Sequence, residues 1–283
     1  MGILGVIEEG RGAVITGAAS GIGLAVAKAL VARGMRVVMA DLNADQLAAA
    51  VSEVRSSAGT ETDDVAIAMP TDVSDFAAVE RLKNEAVAAL GDIALVHNNA
   101  GIGARATSYE HIEGWKQVLD VNLWGVVHGV HAFVPYLLEQ GQPACVINTG
   151  SKQGITNPPG NAAYNVSKAG VRFLTESLAH DLRTQGQTQI SAHLLVPGFT
   201  YTGMIQRFVK EKPPAAWTPD QVADYLLERL AAGDFYILCP DNDVSVALDH
   251  KRLDWNTQDV IQNRPALSRW HPDYEAEFNK FVE

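Results

Sequence analysis

The sequence predicts an α/β chain built on a doubly wound, parallel, seven-stranded sheet with helices on both faces, followed by a C-terminal extension. Three features predict it. Short apolar runs alternate with alanine-rich segments of helical periodicity, which is the form of successive βαβ units. The runs are apolar almost throughout rather than alternating, as strands covered on both faces are. The first run leads straight into a glycine-rich turn and an amphipathic segment.

In chain order, strands are expected at Gly12–Thr16, Arg36–Ala40, Asp64–Ala68, Ile93–His97, Ala144–Asn148, Ile190–Leu195 and Phe235–Leu238. Helices are expected between them at Ile22–Arg33, Ala44–Arg55, Ser74–Leu90, Gly114–Leu138, Ala162–Thr184 and Pro219–Ala232. Ser74 and Asp75 read as a helix start, while Gly34, Gly91 and Gly186 read as stops. No repeat or low-complexity tract interrupts this order, so residues 1–240 read as one domain. Residues 241–283 are rich in Asp, Asn, Arg and Trp with weak periodicity. They read as an appendage packed on the domain or on a neighbouring subunit, whose Trp255, Arg269-Trp270-His271-Pro272 and Tyr274 either anchor the tail to the surface or cover the substrate pocket of its own or a neighbouring subunit.

Composition bounds the class of function. Hydrophobic residues at 47% and charged residues at 19% are ordinary for a globular protein. With 22 basic against 33 acidic side chains, the net charge of -11 argues against nucleic acid or an anionic membrane as partner. Cys145 and Cys239 are too few for a disulfide framework. Residues 1–11 lack the form of a secretory signal, and no apolar stretch approaches the roughly 20 residues of a membrane span. A cytoplasmic location is therefore expected. His97, His128, His131 and His193 show no metal-ligand spacing, and no metal is expected.

The turn after the first strand reads Thr16-Gly17-Ala18-Ala19-Ser20-Gly21-Ile22-Gly23. Gly17 and Gly21 permit backbone angles and close approach that a side chain would block, and the following helix offers free N–H groups to a pyrophosphate. Gly23 lets helix and strand pack closely. At the end of the second strand, Asp41 suits the two ribose hydroxyls of an adenosine and repels a 2′-phosphate. Neither Ser20 nor Leu42 offers that phosphate a cation, so NAD is favoured over NADP.

The chemistry is carried by Ser151, at the end of the fifth strand, and by Tyr164-Asn165-Val166-Ser167-Lys168. Tyr164 and Lys168 are at i and i+4 of one helix, hence on one face. Oxidising an alcohol requires a base for its proton while hydride leaves the carbon. Free tyrosine, with a pKa near 10, is a poor base at neutral pH. A nearby ammonium and an oxidised nicotinamide both favour phenolate. Ser151 would then donate to, or orient, the substrate oxygen.

With these motifs in hand, the chain resembles the short-chain dehydrogenase/reductase family in its compact single-domain branch, with a Rossmann fold over about residues 10–240. The resemblance rests on Thr16-Gly17-x-x-x-Gly21-Ile22-Gly23, Asp72-Val73, Asn98-Asn99-Ala100-Gly101, Asn122, Ser151, Tyr164, Lys168 and Pro197-Gly198. It implies that Asp72 and Val73 contact the adenine and that the stretch from Asn98 through Asn99 and Ala100 to Gly101 lines the cofactor. It implies that Asn122 holds a water linking Lys168 to solvent, and that Lys168 bonds the nicotinamide ribose. Pro197-Gly198 and Thr200 or Thr202 would face the nicotinamide. A homodimer or homotetramer is implied as well.

Two features depart from the family pattern. The seventh strand leads into some forty further residues, which puts the usual tetramer contact across it in doubt. The loop Gly203–Trp217 is the expected lid. Met204, Ile205, Phe208 and Trp217, with Ile102, Ile155, Pro158 and Pro159, suggest an apolar pocket wall and a hydrophobic, even aromatic, secondary alcohol or ketone. The competing readings are a non-catalytic NAD-binding sensor or scaffold and a methyltransferase, which leaves Tyr164 and Lys168 unexplained.

Overall fold

The structure, a computed structural model, describes residues 5–58, 64–104, 106–186 and 189–283. Seven parallel strands form its one sheet: β1 (Gly12–Thr16), β2 (Arg36–Asp41), β3 (Ala66–Pro70), β4 (Leu95–Asn98), β5 (Ala144–Thr149), β6 (Ile190–Val196) and β7 (Tyr236–Leu238). The helices are α1 (Gly21–Val31), α2 (Ala44–Ser57), α3 (Phe76–Leu90), α4 (Ile112–Leu119), α5 (Gly125–Gln140), α6 (Gln153–Thr156), α7 (Ala162–Thr184), α8 (Gly203–Gln206), α9 (Pro219–Ala231), α10 (Val246–Ile261) and α11 (Glu275–Val282).

The strand order is β3-β2-β1-β4-β5-β6-β7. It reverses direction between β1 and β4, and the crevice outside the strand ends at such a switch point is where doubly wound sheets bind ligands. The ends of β1, β4, β5 and β6 therefore bring Gly17, Asn99, Ser151 and Pro197 to one rim. One buried layer joins Ile15, Met39 and Ile147 to Leu30, Leu47, Val54, Leu226 and Leu230 of α1, α2 and α9. On the opposite face, Val14, Val96 and Val146 meet Leu82, Phe133, Leu137, Leu178 and Leu182 of α3, α5 and α7. Both faces are covered, which is why the strands read as unbroken apolar runs.

Beyond shifts of a residue or two at other element ends, four differences from the sequence-based expectation bear on the site. β3 begins two residues later than expected and ends on Pro70, which pairs with Asp41; a proline is tolerated because β3 is an edge strand. β4 begins at Leu95 rather than Ile93, because the Gln140 side chain takes both backbone groups of Ile93, at 3.0 Å each. The single helix expected at Gly114–Leu138 is longer and is interrupted by a π-turn at Asp120–Trp124. By length and composition this run, Ile112–Gln140, could cross a membrane, contrary to the expectation above, but half of its most apolar window is buried inside the fold.

The fourth difference is the C-terminal segment, which is helical. Ser245 caps α10 by accepting from Leu248 N at 3.2 Å. Trp255, only 2% exposed, forms a nucleus with Phe278 and Phe281, each 5.3 Å away between ring centroids. The Arg264 guanidinium lies 4.1 Å from the Trp255 ring centroid, and the indole N–H donates to Ser268 at 2.8 Å. Trp255 thus holds the segment together from within.

Candidate active site

The glycine turn is built for a backbone-lined cradle. Gly17 has φ 64° and Gly21 φ 56°, values that L side chains rarely adopt. A Cβ on Gly17 would lie 2.7 Å from Ala100 Cα, and one on Gly23 would lie 2.3 Å from Gly17 O, so neither position admits a side chain. Ser20 caps α1 without a side-chain hydrogen bond, which leaves the helix's first N–H groups and positive dipole end available to an anion. Ile22 packs inward against the core. Residues and backbone therefore fit a dinucleotide pyrophosphate.

Asp41 is tied to this turn: its carboxylate accepts from Ala19 N at 3.1 Å and from Asn43 N at 3.3 Å. Asn43, not Asp41, caps α2, which leaves Asp41 at the end of β2 facing the turn. Leu42 beside it is 72% exposed. Asp72 lies in the following turn, where one carboxylate oxygen accepts from Ser74 N at 2.9 Å and from Ser74 Oγ at 2.6 Å. Asp75, rather than Asp72, caps α3. Val73 is buried, and its carbonyl is bonded by His128 at 2.8 Å.

Within Asn98–Gly101 the residues divide. Asn98 is buried and donates to Asn148 at 2.9 Å, bridging two strand ends instead of lining the cleft. Asn99 donates from its amide to Thr16 O at 3.1 Å and to Gly17 O at 3.3 Å, holding the glycine turn to β4. Ala100 N is bonded by Thr16 Oγ1 at 3.2 Å. Gly101 faces both Asn122 Oδ1 and Lys168 Nζ, each 3.5 Å from the place a Cβ would take. Asn122 itself lies on the π-turn, fully buried; its amide accepts from Ile102 N at 2.8 Å and donates to Ile102 O at 2.9 Å. Asn122 is the buried residue of this π-turn, a kind of helix interruption frequent at functional sites.

Ser151, Tyr164 and Lys168 converge. Ser151 Oγ accepts from Gln153 N at 3.1 Å and lies beside the Tyr164 hydroxyl, whose pKa it lowers. Lys168 Nζ lies 5.8 Å from the Tyr164 ring centroid and donates to Thr149 O at 2.8 Å. Burial pushes the Tyr164 pKa up, and the Ser151 side chain opposes it. The protein packed around the phenol is the larger influence, and the serine supplies the lowering contribution. Burial also brings Lys168 down to about 8.

The loop after β6 folds back over the glycine turn. A Cβ on Gly21 would lie 3.2 Å from Thr202 Cγ2, so Thr202 borders the cradle. Thr200 is buried and donates to Gly198 O at 3.2 Å, which leaves Thr202 as the threonine facing the cleft. Pro197 O accepts from Lys152 N at 3.2 Å. Of the expected pocket wall, Met204 comes within 3.4 Å of the place a Gly103 Cβ would take. Phe208 is 85% exposed, Ile155 packs into the core beside Val171 and Val196, and Trp217 stacks edge-on against Tyr225 at 5.8 Å. Two of the residues expected in the apolar wall, Ile155 and Trp217, are thus half-buried against the core.

One cluster had no signal in the sequence. His97 Nε2 bonds Thr149 Oγ1 at 2.8 Å, and Thr149 Oγ1 donates to Asn99 Oδ1 at 3.3 Å. The hydroxyl has one proton, so when it donates to Asn99 the imidazole must carry its proton on Nε2. His97 is fully buried, and burial with Lys168 nearby brings its pKa down to about 3, so the ring is neutral. A lone histidine in an apolar strand carries no spacing that would announce this.

Comparison with known families matches residues 11–213 to the short chain dehydrogenase family. A 1-deoxy-11-beta-hydroxypentalenate dehydrogenase from Streptomyces exfoliatus is 36% identical over 233 residues, covering 80% of this chain and 82% of the relative. A cyclohexanol dehydrogenase from Acinetobacter sp. is 37% identical over 199 residues, or 69% and 75% of the two chains. Among solved structures, a short chain dehydrogenase/reductase from Burkholderia phymatum in complex with NAD aligns with a TM-score of 0.81 at 33% identity, covering 92% of this chain and 97% of that one. The glycine cradle at the topological switch point and the convergence of Ser151, Tyr164 and Lys168 agree with these likenesses, and the chain belongs to the short-chain dehydrogenase family of oxidoreductases.

Proposed function

We propose that the protein is an NAD-dependent dehydrogenase or reductase that interconverts a hydrophobic secondary alcohol and its ketone, with Tyr164 as acid/base. The observation that carries this reading is the convergence of Ser151 and the Lys168 ammonium on the buried Tyr164, at the rim that also holds the glycine cradle. NAD, when bound, supplies the hydride acceptor or donor. Gly17, Ser20, Gly21, Ile22 and Gly23 would hold its pyrophosphate, and Asp41 with Leu42 its adenosine ribose. Asp72, Val73, Asn99, Ala100 and Gly101 would line the nucleotide, with Pro197, Gly198, Thr202 and the buried Thr200 shaping the nicotinamide end.

In alcohol oxidation Tyr164 takes the hydroxyl proton, Ser151 orients the substrate oxygen, and the Lys168 ammonium favours the phenolate that results. In reduction Tyr164 gives the proton back. Asn122, on the π-turn facing Gly101, continues the polar path from Lys168. The relatives are named as dehydrogenases of 1-deoxy-11-beta-hydroxypentalenate and of cyclohexanol, and Met204 with Ile102 offers a hydrophobic alcohol an apolar wall.

The test is reduction of NAD, followed at 340 nm, across a panel of cyclic and aryl secondary alcohols, repeated with NADP. Turnover is expected with NAD. Tyr164→Phe should lower kcat at least about 100-fold, the scale of general acid/base catalysis, with NAD affinity nearly unchanged. NAD binding with no turnover on any alcohol or ketone would instead favour the sensor reading, and a Tyr164→Phe variant of near wild-type rate removes the phenol from the mechanism.

A further inference from the structure

The helix α6 follows Ser151 directly and is gripped at both ends by α10 of the C-terminal extension. At its start, Lys152 Nζ lies 2.6 Å from Asp249 and 3.2 Å from Asp241. At its end, Asn256 Nδ2 donates to Thr156 O at 3.0 Å. Asp249 and Asn256 are seven residues apart on α10, two turns along one face, so one side of that helix reaches the whole length of α6. Thr156 Oγ1 closes the turn by donating to Lys152 O at 2.8 Å.

What α6 presents to the cleft is the backbone N–H of Gln153, which donates to Ser151 Oγ. With one lone pair of that oxygen held by α6, the Ser151 proton is left for the Tyr164 oxygen. On its other side α6 lies against α7 at Gly154, where a Cβ would come within 2.5 Å of the Lys168 carbonyl carbon. The same Lys152 ammonium reaches Asp241, whose carboxylate accepts from Phe199 N at 3.3 Å in the loop after β6. Asp249 is 1% exposed and also lies 3.6 Å from Arg252. A buried ion pair of this kind adds little net stability compared with apolar packing, but it fixes geometry tightly. Lys152, the member shared by both aspartates, is the residue after Ser151.

We propose that the C-terminal extension is a clamp on the active site, in which Asp249 and Asn256 are positioning residues that hold α6 and, through it, the Ser151 hydroxyl against Tyr164. This rests on the acid/base reading above. It assigns the extension to catalysis, through α6, rather than to surface anchoring. A displacement of about 1 Å in a reacting group can lower a rate by roughly 100-fold, so a loosened α6 need not unfold to be slow.

The experiment compares Asp249→Ala, Asn256→Ala and the double variant with the wild-type enzyme and with Tyr164→Phe, all in the full chain. Each is measured for kcat, KM, NAD affinity by fluorescence titration, thermal midpoint and the pH profile of alcohol oxidation. The expected result is a fall in kcat of roughly 10- to 100-fold in the double variant, with NAD affinity within about twofold of wild type. The rising limb of the pH profile should move to higher pH, because Tyr164 loses the partner that lowers its pKa while Lys168 stays in place. Asn256→Ala removes only one amide and keeps the test open if the buried Asp249 variant does not fold. Folded Asn256→Ala and double variants with wild-type kcat and pH profile, alongside an inactive Tyr164→Phe, overturn the clamp. An active Tyr164→Phe overturns the acid/base reading itself.

Discussion

At the scale of single residues, the site depends on side chains whose ordinary chemistry is shifted by burial. Lys168 is brought down to about 8 and His97 to about 3, in both cases chiefly by loss of solvation. For His97 the folded pKa lies below the unfolded value near 6.5, so the unfolded chain binds more protons between about pH 6.5 and 3. Stability is therefore lost as pH falls through that window, at up to about 1.4 kcal/mol per pH unit from this one group. Urea unfolding at pH 4.5, 5.5 and 7 should show a steeper decline in the wild type than in His97→Val. Parallel declines would mean that another group carries the acid sensitivity.

At the scale of elements, two short pieces decide the geometry. The π-turn within the long helix brings Asn122 to Gly101, and α6 brings the Gln153 N–H to Ser151. Close contact between α6 and α7 is possible only because residue 154 lacks a side chain, since the nearest atoms are backbone of Lys168 and Ala169. Backbone on both sides cannot step aside as a flexible side chain would. Gly154→Ala should therefore destabilise the fold by about 1–3 kcal/mol, the usual penalty of overpacking, and lower kcat as Ser151 shifts. Thermal unfolding and turnover together check this: a variant with unchanged midpoint and unchanged rate would show that α6 has room to move.

At the scale of the whole molecule, the extension is held together by Trp255 and its neighbours Phe278, Phe281 and Arg264, and is joined to the sheet domain through Lys152 and Asn256. Trp255→Ala removes the centre of that nucleus, a change worth about 3–5 kcal/mol at a buried tryptophan. The expected outcome is local loosening of residues 246–283 ahead of the sheet domain. Limited proteolysis should then cut first within that segment. Cleavage distributed evenly over the chain would indicate that extension and domain unfold as one unit.

Much of this was legible in the linear pattern. Apolar runs of strand length, alanine-rich helical stretches and the Thr16–Gly23 turn determine a parallel sheet with a phosphate-sized cradle, because burial on both faces and a side-chain-free turn leave direct marks on residue type. The spacing of Tyr164 and Lys168 likewise determines that they share a helix face, since an i, i+4 pair needs no long-range contact to be neighbours. Tertiary structure alone decided which of those marks matter. It buried Asn98 between strands and left Asn99 to hold the turn, packed Ile155 and Trp217 against the core, made desolvation the larger influence on Tyr164, and laid α10 across α6. Each of these depends on groups far apart in the chain meeting in a low-dielectric interior, and no local spacing encodes such a meeting.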